Sequence, residues 1–240
     1  DYAILLITLN EGDKLKKQID ELQEYQSLVD IIIVDGGSDD NSTELTYLES
    51  KNVRTLITCH ERGIGSALRV GLSYALEHNY TGILTIDCNG KDGVESIPQI
   101  IEKLENGYDF VQASRFMKGG VHKNTPFFRM MGIFIVIIPA LFLGSGFWFT
   151  DPTNGFKGFS RRFLLDPKTK PFRQVFKMFN MQFYLNYRAP KLGFRTIEIP
   201  AKRVYPDDGT VPTKIHGLAT HLQIMYEIFK TCLGGYNPKL

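Results

Sequence analysis

With 240 residues, 43% of them hydrophobic and 22% charged, the chain can bury one substantial core, and a second full domain is not expected. A formal net charge of +2 gives no global case for nucleic acid, and no nucleic-acid partner is expected. Cys59, Cys88 and Cys232 are odd in number and widely spaced, which fits neither a disulfide framework nor a C-x-x-C zinc site and favours a reducing, cytoplasmic setting.

The N-terminus opens directly into an apolar strand over residues 2–8, with no basic n-region or small-residue cleavage site, so no secretory signal is expected. Residues 13–25 read as a helix with Leu15, Ile19 and Leu22 on one face. Residues 29–34 are almost wholly apolar, which suits a parallel strand covered on both sides. The alternation continues with a strand at 53–58, a helix at about 66–76, a strand at 82–86, a helix carrying Ile97, Ile100, Ile101 and Leu104, and a strand from Phe110 into Phe116. Strands alternating with helices imply βαβ units and a mostly parallel sheet.

Residues 118–129 read as a loop with Gly119, Gly120 and Pro126, and they carry Lys118, Lys123 and Arg129. From Ile133 to Phe149 the sequence is almost unbroken apolar. It falls at the short end of what a membrane span needs, and Pro139, Gly144 and Gly146 interrupt it, so a span, a buried core helix and an interfacial element all remain open. The basic residues just before it favour a membrane surface. Beyond lie a helix around 179–192, a strand at 196–199, a basic loop from Arg203 to Lys214, and an amphipathic helix at 218–233. The histidines show no metal-ligand spacing; His216 and His221 do not form H-E-x-x-H.

The informative feature is a fixed order of short segments at strand ends: Thr8-Leu9-Asn10-Glu11, Val34-Asp35-Gly36-Gly37-Ser38-Asp39-Asp40, Gly63-Ile64-Gly65-Ser66-Ala67-Leu68, and Ile86-Asp87-Cys88-Asn89-Gly90. They fall along the sheet edge at which α/β folds bind nucleotides. Two more follow, Ser114-Arg115-Phe116 and Asp151-Pro152-Thr153-Asn154-Gly155-Phe156-Lys157. Asp39 or Asp40 is expected to cap the helix that follows. The glycines at 63 and 65 fit close helix packing as well as approach to a ligand.

Taken together, the ordered set resembles the family 2 glycosyltransferases of the GT-A fold, within them the branch that transfers sugars to polyprenyl phosphates. The resemblance implies an α/β, Rossmann-like, mostly parallel sheet flanked by helices, with a C-terminal helical extension on the acceptor side. Residues 1–116 would form the nucleotide-sugar part, 117–215 the acceptor-side part including 133–149, and 216–240 an amphipathic helix and tail. Thr8, Asn10, Glu11, Asp35, Gly63 and Asp87 would contact the nucleotide, and Asp87 with Asn89 would hold Mg²⁺ or Mn²⁺. Asn89 stands where the family has its second acid, and an amide oxygen can ligate a hard cation without adding charge; Asp92 is placed to compensate.

The same resemblance makes Arg115, Arg203 and Lys214 stabilisers of leaving-group charge. Arg129, Asn154 and Gln182 would meet the acceptor, although many relatives carry Glu at the last. It implies an inverting transfer from a UDP- or GDP-linked sugar to a polyprenyl phosphate, by a protein peripheral to the cytoplasmic face of the membrane. Asp151 would orient basic groups for a phosphate acceptor. Two alternatives stay open: transfer to a hydroxyl of a lipid-linked or surface polysaccharide precursor, with Asp151 as general base, and a non-catalytic partner that kept the fold. The glycines do not make a dinucleotide fingerprint, because a third glycine is missing and they follow the third strand.

Overall fold

The computed structural model describes residues 1–207 and 217–239. Its centre is a seven-stranded sheet with β1 at Tyr2–Thr8, β2 at Val29–Asp35, β3 at Thr55–Thr58, β4 at Gly82–Asp87, β5 at Phe110–Ser114, β7 at Lys157–Ser160 and β8 at Thr196–Pro200. The strands lie in the order β3-β2-β1-β4-β7-β5-β8. All neighbours are parallel except β7, which runs antiparallel to both β4 and β5.

Side-chain alternation splits the core into two layers. Ile4, Leu6, Ile31 and Ile33 face one side, where they meet Leu15 and Ile19 of α1 (Asp13–Leu22) and Ile97, Ile100 and Ile101 of α4 (Ile97–Glu105). Ala3, Leu5 and Ile32 face the other, against Leu68, Leu72 and Ala75 of α3 (Ile64–Glu77). A further short helix, α2 (Leu45–Ser50), precedes β3. Burial on both faces explains why β1 and β2 read as continuous apolar runs.

The stretch expected to be a loop at 118–129 is more ordered than that. It contains β6 (Val121–Lys123), which pairs in parallel with β9 (Lys202–Val204), and the start of a helix at Phe127. That helix runs unbroken for 19 residues, Phe127–Ser145, through α5 (Phe127–Gly132), a wide π turn (Ile133–Ile137) and α6 (Ile138–Ser145). Pro139 has no N–H and its ring crowds the carbonyl four residues back, Ile135; the π turn lies where that strain must be absorbed. Gly146, at φ 80°, ends the helix in a left-handed cap, with its N–H on the Phe142 carbonyl.

One face of this helix, Ile133, Ile137, Ile138 and Leu141, packs into the core beside α8 (Asn180–Lys191) and α9 (Leu218–Cys232). The other face is apolar and exposed: Phe128 is 88% accessible and Leu143 83%. Only 28% of its most apolar stretch is buried, so of the three alternatives a fully buried core helix does not hold. The remaining helix, α7 (Arg161–Leu165), follows β7 directly. β7 and β8 complete the sheet begun by β1–β5, so strands from residues 1–116 and from the chain beyond them share one sheet.

Candidate active site

The C-terminal ends of β1, β2 and β4 bring their loops together. Asn10, in a left-handed conformation at φ 50°, receives the Asp39 N–H on Oδ1 at 2.9 Å, and its own N–H donates to Ser38 Oγ at 2.9 Å. Asp35 is buried at the end of β2, where it accepts the Ser38 N–H and, at 2.6 Å, the Ser38 hydroxyl. Asp40 does not cap the helix that follows it. It accepts the Gly12 N–H at 2.8 Å and so ties down the entry to α1. Thr8 is buried at the end of β1, and Glu11 is half-buried in the loop beyond.

Gly63 caps the start of α3. A Cβ there would lie 2.1 Å from the Lys177 carbonyl, and that carbonyl accepts the N–H groups of Gly65 and Ser66. The helix start thus packs closely against backbone, a contact that the absence of a Cβ at these glycines permits.

Around Asp87 the chain gathers a dense charged cluster. Arg203 Nη2 donates to Asp87 Oδ2 at 2.7 Å, while Nη1 holds both oxygens of Asp92 at 2.5 and 2.7 Å and Asn154 Oδ1 at 3.1 Å. β9 is aimed there by its backbone: the Gly93 N–H donates to the Lys202 carbonyl and the Val204 N–H to the Lys91 carbonyl. Asp87 remains a quarter exposed, whereas Asp92 is buried completely. Burial pushes the Asp87 carboxyl up, but Arg203 and Lys91 outweigh it and hold the group below its ordinary value. Asp92 goes the other way, to about 6, because burial and the Asp87 charge outweigh Arg203.

A second buried pair lies alongside. Arg115 Nε is 2.9 Å from Asp151 Oδ2, and Nη2 donates to Oδ1 at 3.1 Å; the pair is 2% and 0% accessible. Thr150 and Asp151 donate their N–H groups to Glu198, whose carboxyl burial pushes up. Tyr205 joins the clusters: its hydroxyl accepts from Arg129 Nη1 at 3.0 Å and Arg115 Nη1 at 3.4 Å, and its ring lies 5.1 Å from Lys91 Nζ and 6.0 Å from the Arg203 guanidinium. Burial raises the Tyr205 hydroxyl, but these four cations bring it down to about 8. Lys91, pushed down by burial and by Arg203, titrates at about 8.

The structure thus brings together Asp87, Asp92, Arg115, Arg129, Asp151, Asn154 and Arg203. Gln182 is half-buried in the first turn of α8, and no side-chain hydrogen bond among the described residues joins it to this cluster. Lys214 lies outside the described residues. Tyr205, Lys91 and Glu198 escaped the sequence reading, although a lone carboxylate inside the apolar strand Thr196–Pro200 was a signal that something polar is buried there.

A divalent cation is implied by the motif at Asp87. Asn89 Oδ1 is buried without a hydrogen-bond partner, as expected of an oxygen kept for a ligand. A Cβ at Gly155 would sit 2.3 Å from Asp87 Oδ1, so a glycine keeps that oxygen uncovered. Among the described residues no group of three or more His, Cys, Asp or Glu side chains could hold a metal. The protein therefore offers a carboxylate and an amide oxygen, hard donors that suit Mg²⁺ or Mn²⁺ when substrate oxygens and water complete the shell.

Residues 3–183 match the profile of glycosyl transferase family 2. The chain belongs to that family. The transferase is 25% identical over 201 residues to a polyprenol monophosphomannose synthase of Mycolicibacterium smegmatis, covering 82% of this chain and 75% of that one. It is 26% identical over 200 residues to an undecaprenyl-phosphate mannosyltransferase of Micrococcus luteus, covering 82% and 80%. Among solved structures, glucosyl-3-phosphoglycerate synthase of Mycobacterium tuberculosis, in complex with Mn²⁺, UDP and product, superposes with a TM-score of 0.64 at 16% identity, over 99% of this chain and 81% of that one. A mannosyltransferase of Pyrobaculum calidifontis with GDP-mannose and Mn²⁺ gives 0.54 at 14%, over 100% and 76%. The fold of the transferase is GT-A, as the order of its strand-end segments predicts.

Proposed function

We propose that the transferase moves a sugar from a nucleotide diphosphate to a polyprenyl phosphate at the membrane surface, with inversion at the anomeric carbon. The observation that carries this reading is the junction of charge with exposed apolar surface. Arg129, on the first turn of the Phe127–Ser145 helix, bonds Tyr205 of the charged cluster, and the Phe116 ring lies between the Arg115 guanidinium at 4.7 Å and Phe134 of that helix at 5.0 Å. An anionic head with a long apolar tail matches both halves at once. The relatives named for polyprenol and undecaprenyl phosphate support the same acceptor class.

A phosphate oxygen of the acceptor is already an anionic nucleophile. It attacks the anomeric carbon as the bond to the donor's diphosphate breaks, and that diphosphate leaves with the electron pair. Arg115 and Arg203, in surroundings dry enough for each cation to count, are candidates to receive its charge, and the family resemblance adds Lys214. Asp87 and Asn89 would hold Mg²⁺ or Mn²⁺, which would neutralise diphosphate charge. Thr8, Asn10, Glu11, Asp35 and Gly63 are the nucleotide-side candidates, the first four at the ends of β1 and β2 and in the loop after β1. Asp151, sealed and with both oxygens on Arg115, orients that arginine; it has no free oxygen for a hydroxyl's proton. This favours the phosphate acceptor over the hydroxyl one.

The cytoplasmic face is the side on which such donors are expected. The test supplies UDP- or GDP-linked radiolabelled sugars with vesicles containing polyprenyl phosphate. Label should enter the organic extract for one nucleotide family and depend on a divalent cation. Label that remains wholly in the aqueous phase with every donor contradicts the reading.

A further inference from the structure

The segment from Thr150 to Phe156 carries Asp151, Thr153 and Asn154, and its backbone hangs from side chains of the surrounding sheet. Glu198 on β8 accepts the N–H groups of Thr150 and Asp151, Gln112 Nε2 on β5 donates to the Asn154 carbonyl at 3.1 Å, and Thr85 Oγ1 on β4 donates to the Gly155 carbonyl at 2.8 Å. Lys157, at the head of β7, donates to the Pro152 carbonyl at 3.2 Å. Lys157 is 1% accessible. Its ammonium also donates to Gln112 Oε1 at 2.5 Å and to Asn186 Oδ1 of α8 at 3.0 Å, and Asn186 Nδ2 donates to the same Gln112 oxygen at 3.0 Å.

All three ammonium hydrogens therefore have acceptors, and none of those acceptors is a carboxylate. A buried cation held only by neutral groups is costly, and neither core packing nor a salt bridge accounts for it. What it holds is the segment that fixes two arginines, since Asp151 carries Arg115 and Asn154 Oδ1 receives Arg203.

We propose that Lys157 is a positioning residue of the transferase: through Pro152, Gln112 and Asn186 its ammonium fixes the 150–156 segment, and so the places of Arg115 and Arg203, and the transfer rate follows its charge. This rests on the reading of the site given above. An ammonium has three hydrogens and an amine two, so loss of the proton leaves one of the three acceptors without a donor. Burial pushes Lys157 down to about 7, against Asp151, Asp87 and Glu198, which favour its charge, and with Arg203, which opposes it. Among the described residues those four are the charged groups that act on it, from the segment itself, the end of β4, β8 and β9. β5 presents Gln112 and the Phe110 ring, 5.9 Å away, and α8 presents Asn186, all uncharged.

The test compares wild type, Lys157→Arg and Lys157→Met by kcat, KM and stability across pH. In wild type, loss of a single proton at about 7 should lower kcat by roughly tenfold from pH about 6 to pH about 8 with KM for the donor unchanged, because the arginines act on the leaving group. Lys157→Arg, charged throughout, should show no such fall, and Lys157→Met should be slow and flat. A Lys157→Arg enzyme that keeps the wild-type fall, or a Lys157→Met enzyme with the wild-type rate and profile, overturns the proposal.

Unfolding supplies a readout that needs no turnover. Wild type should gain stability above pH about 7 relative to either variant, since only its native state sheds this proton early. Lys157→Met serves if the larger guanidinium is not accommodated. Sugar transfer without that stability difference overturns the proposal and leaves the transfer reading standing; the stability difference without any sugar transfer overturns the transfer reading instead.

Discussion

Arg203 forms a bridge between two carboxylates that differ in exposure, and this contrast organises the chemistry around it. Asp92 is sealed and anchors the guanidinium; Asp87 is a quarter exposed. The Arg115–Asp151 pair is buried throughout, so truncating one partner strands the other. Asp151→Ala should therefore cost about 3–5 kcal/mol, read as a lower urea midpoint. Lys157 at about 7, Lys91 at about 8 and Tyr205 at about 8 all lose protons in the folded chain well before their ordinary values of 10.5, 10.5 and 10.0. The unfolded chain then binds more protons, so stability should rise with pH from about 7 towards about 10, measured by denaturant titration. Asp92, raised to about 6, acts in the opposite sense only at lower pH, where stability falls as pH rises from about 4 to about 6. Asp87, Arg115 and Asp151 were legible in the sequence because each lies in a recognisable segment, and Arg203 because it opens the basic loop after the strand read at 196–199. Tyr205 and Lys91 were not, and Lys157 was legible only as the end of its segment, since what gives them meaning is a neighbour remote in the chain: Lys157 and Asn186 are 29 residues apart, and Arg115 and Tyr205 are 90 apart.

Among the elements, the Phe127–Ser145 helix shows where local pattern stops being informative. Its apolar run was plain, but the sequence could not separate a core helix from a surface one, because both faces are apolar and only contact with α8 and α9 selects which is covered. The exposed face continues onto α9 through Leu222, Tyr226 and Phe229, and onto Leu233 just past its end. Gly144 allows the two helices to touch, since a Cβ there would lie 3.0 Å from the Cys232 Cα. A surface of this kind predicts that Phe128→Asp with Leu143→Asp lowers co-sedimentation with anionic vesicles at least about tenfold while shifting stability by no more than about 0.5 kcal/mol per substitution, because neither side chain is buried. The antiparallel β7 was hidden for another reason. Four residues give no periodicity, and its direction is set by docking between β4 and β5 rather than by its own composition.

For the molecule as a whole, the sheet is a device for bringing loops from distant parts of the chain to one edge. β1 and β2 deliver the Asn10 and Asp35 loops, β4 delivers Asp87, β5 delivers Arg115, and the turn before β7 delivers Asp151 and Asn154. β9 then folds back over that edge with Arg203, while the apolar helix lies beside it. Charge at the edge and apolar surface next to it are the two properties that a phosphate with a long isoprenoid tail combines. The decisive measurement is a head-to-head transfer assay with polyprenyl phosphate and the corresponding polyprenol, using the accepted donor sugar and Asp87→Asn as a control. The account predicts sugar transfer to the phosphate alone, with a loss of at least about 100-fold in kcat for Asp87→Asn. Equal transfer to the alcohol, or full activity in Asp87→Asn, would contradict it.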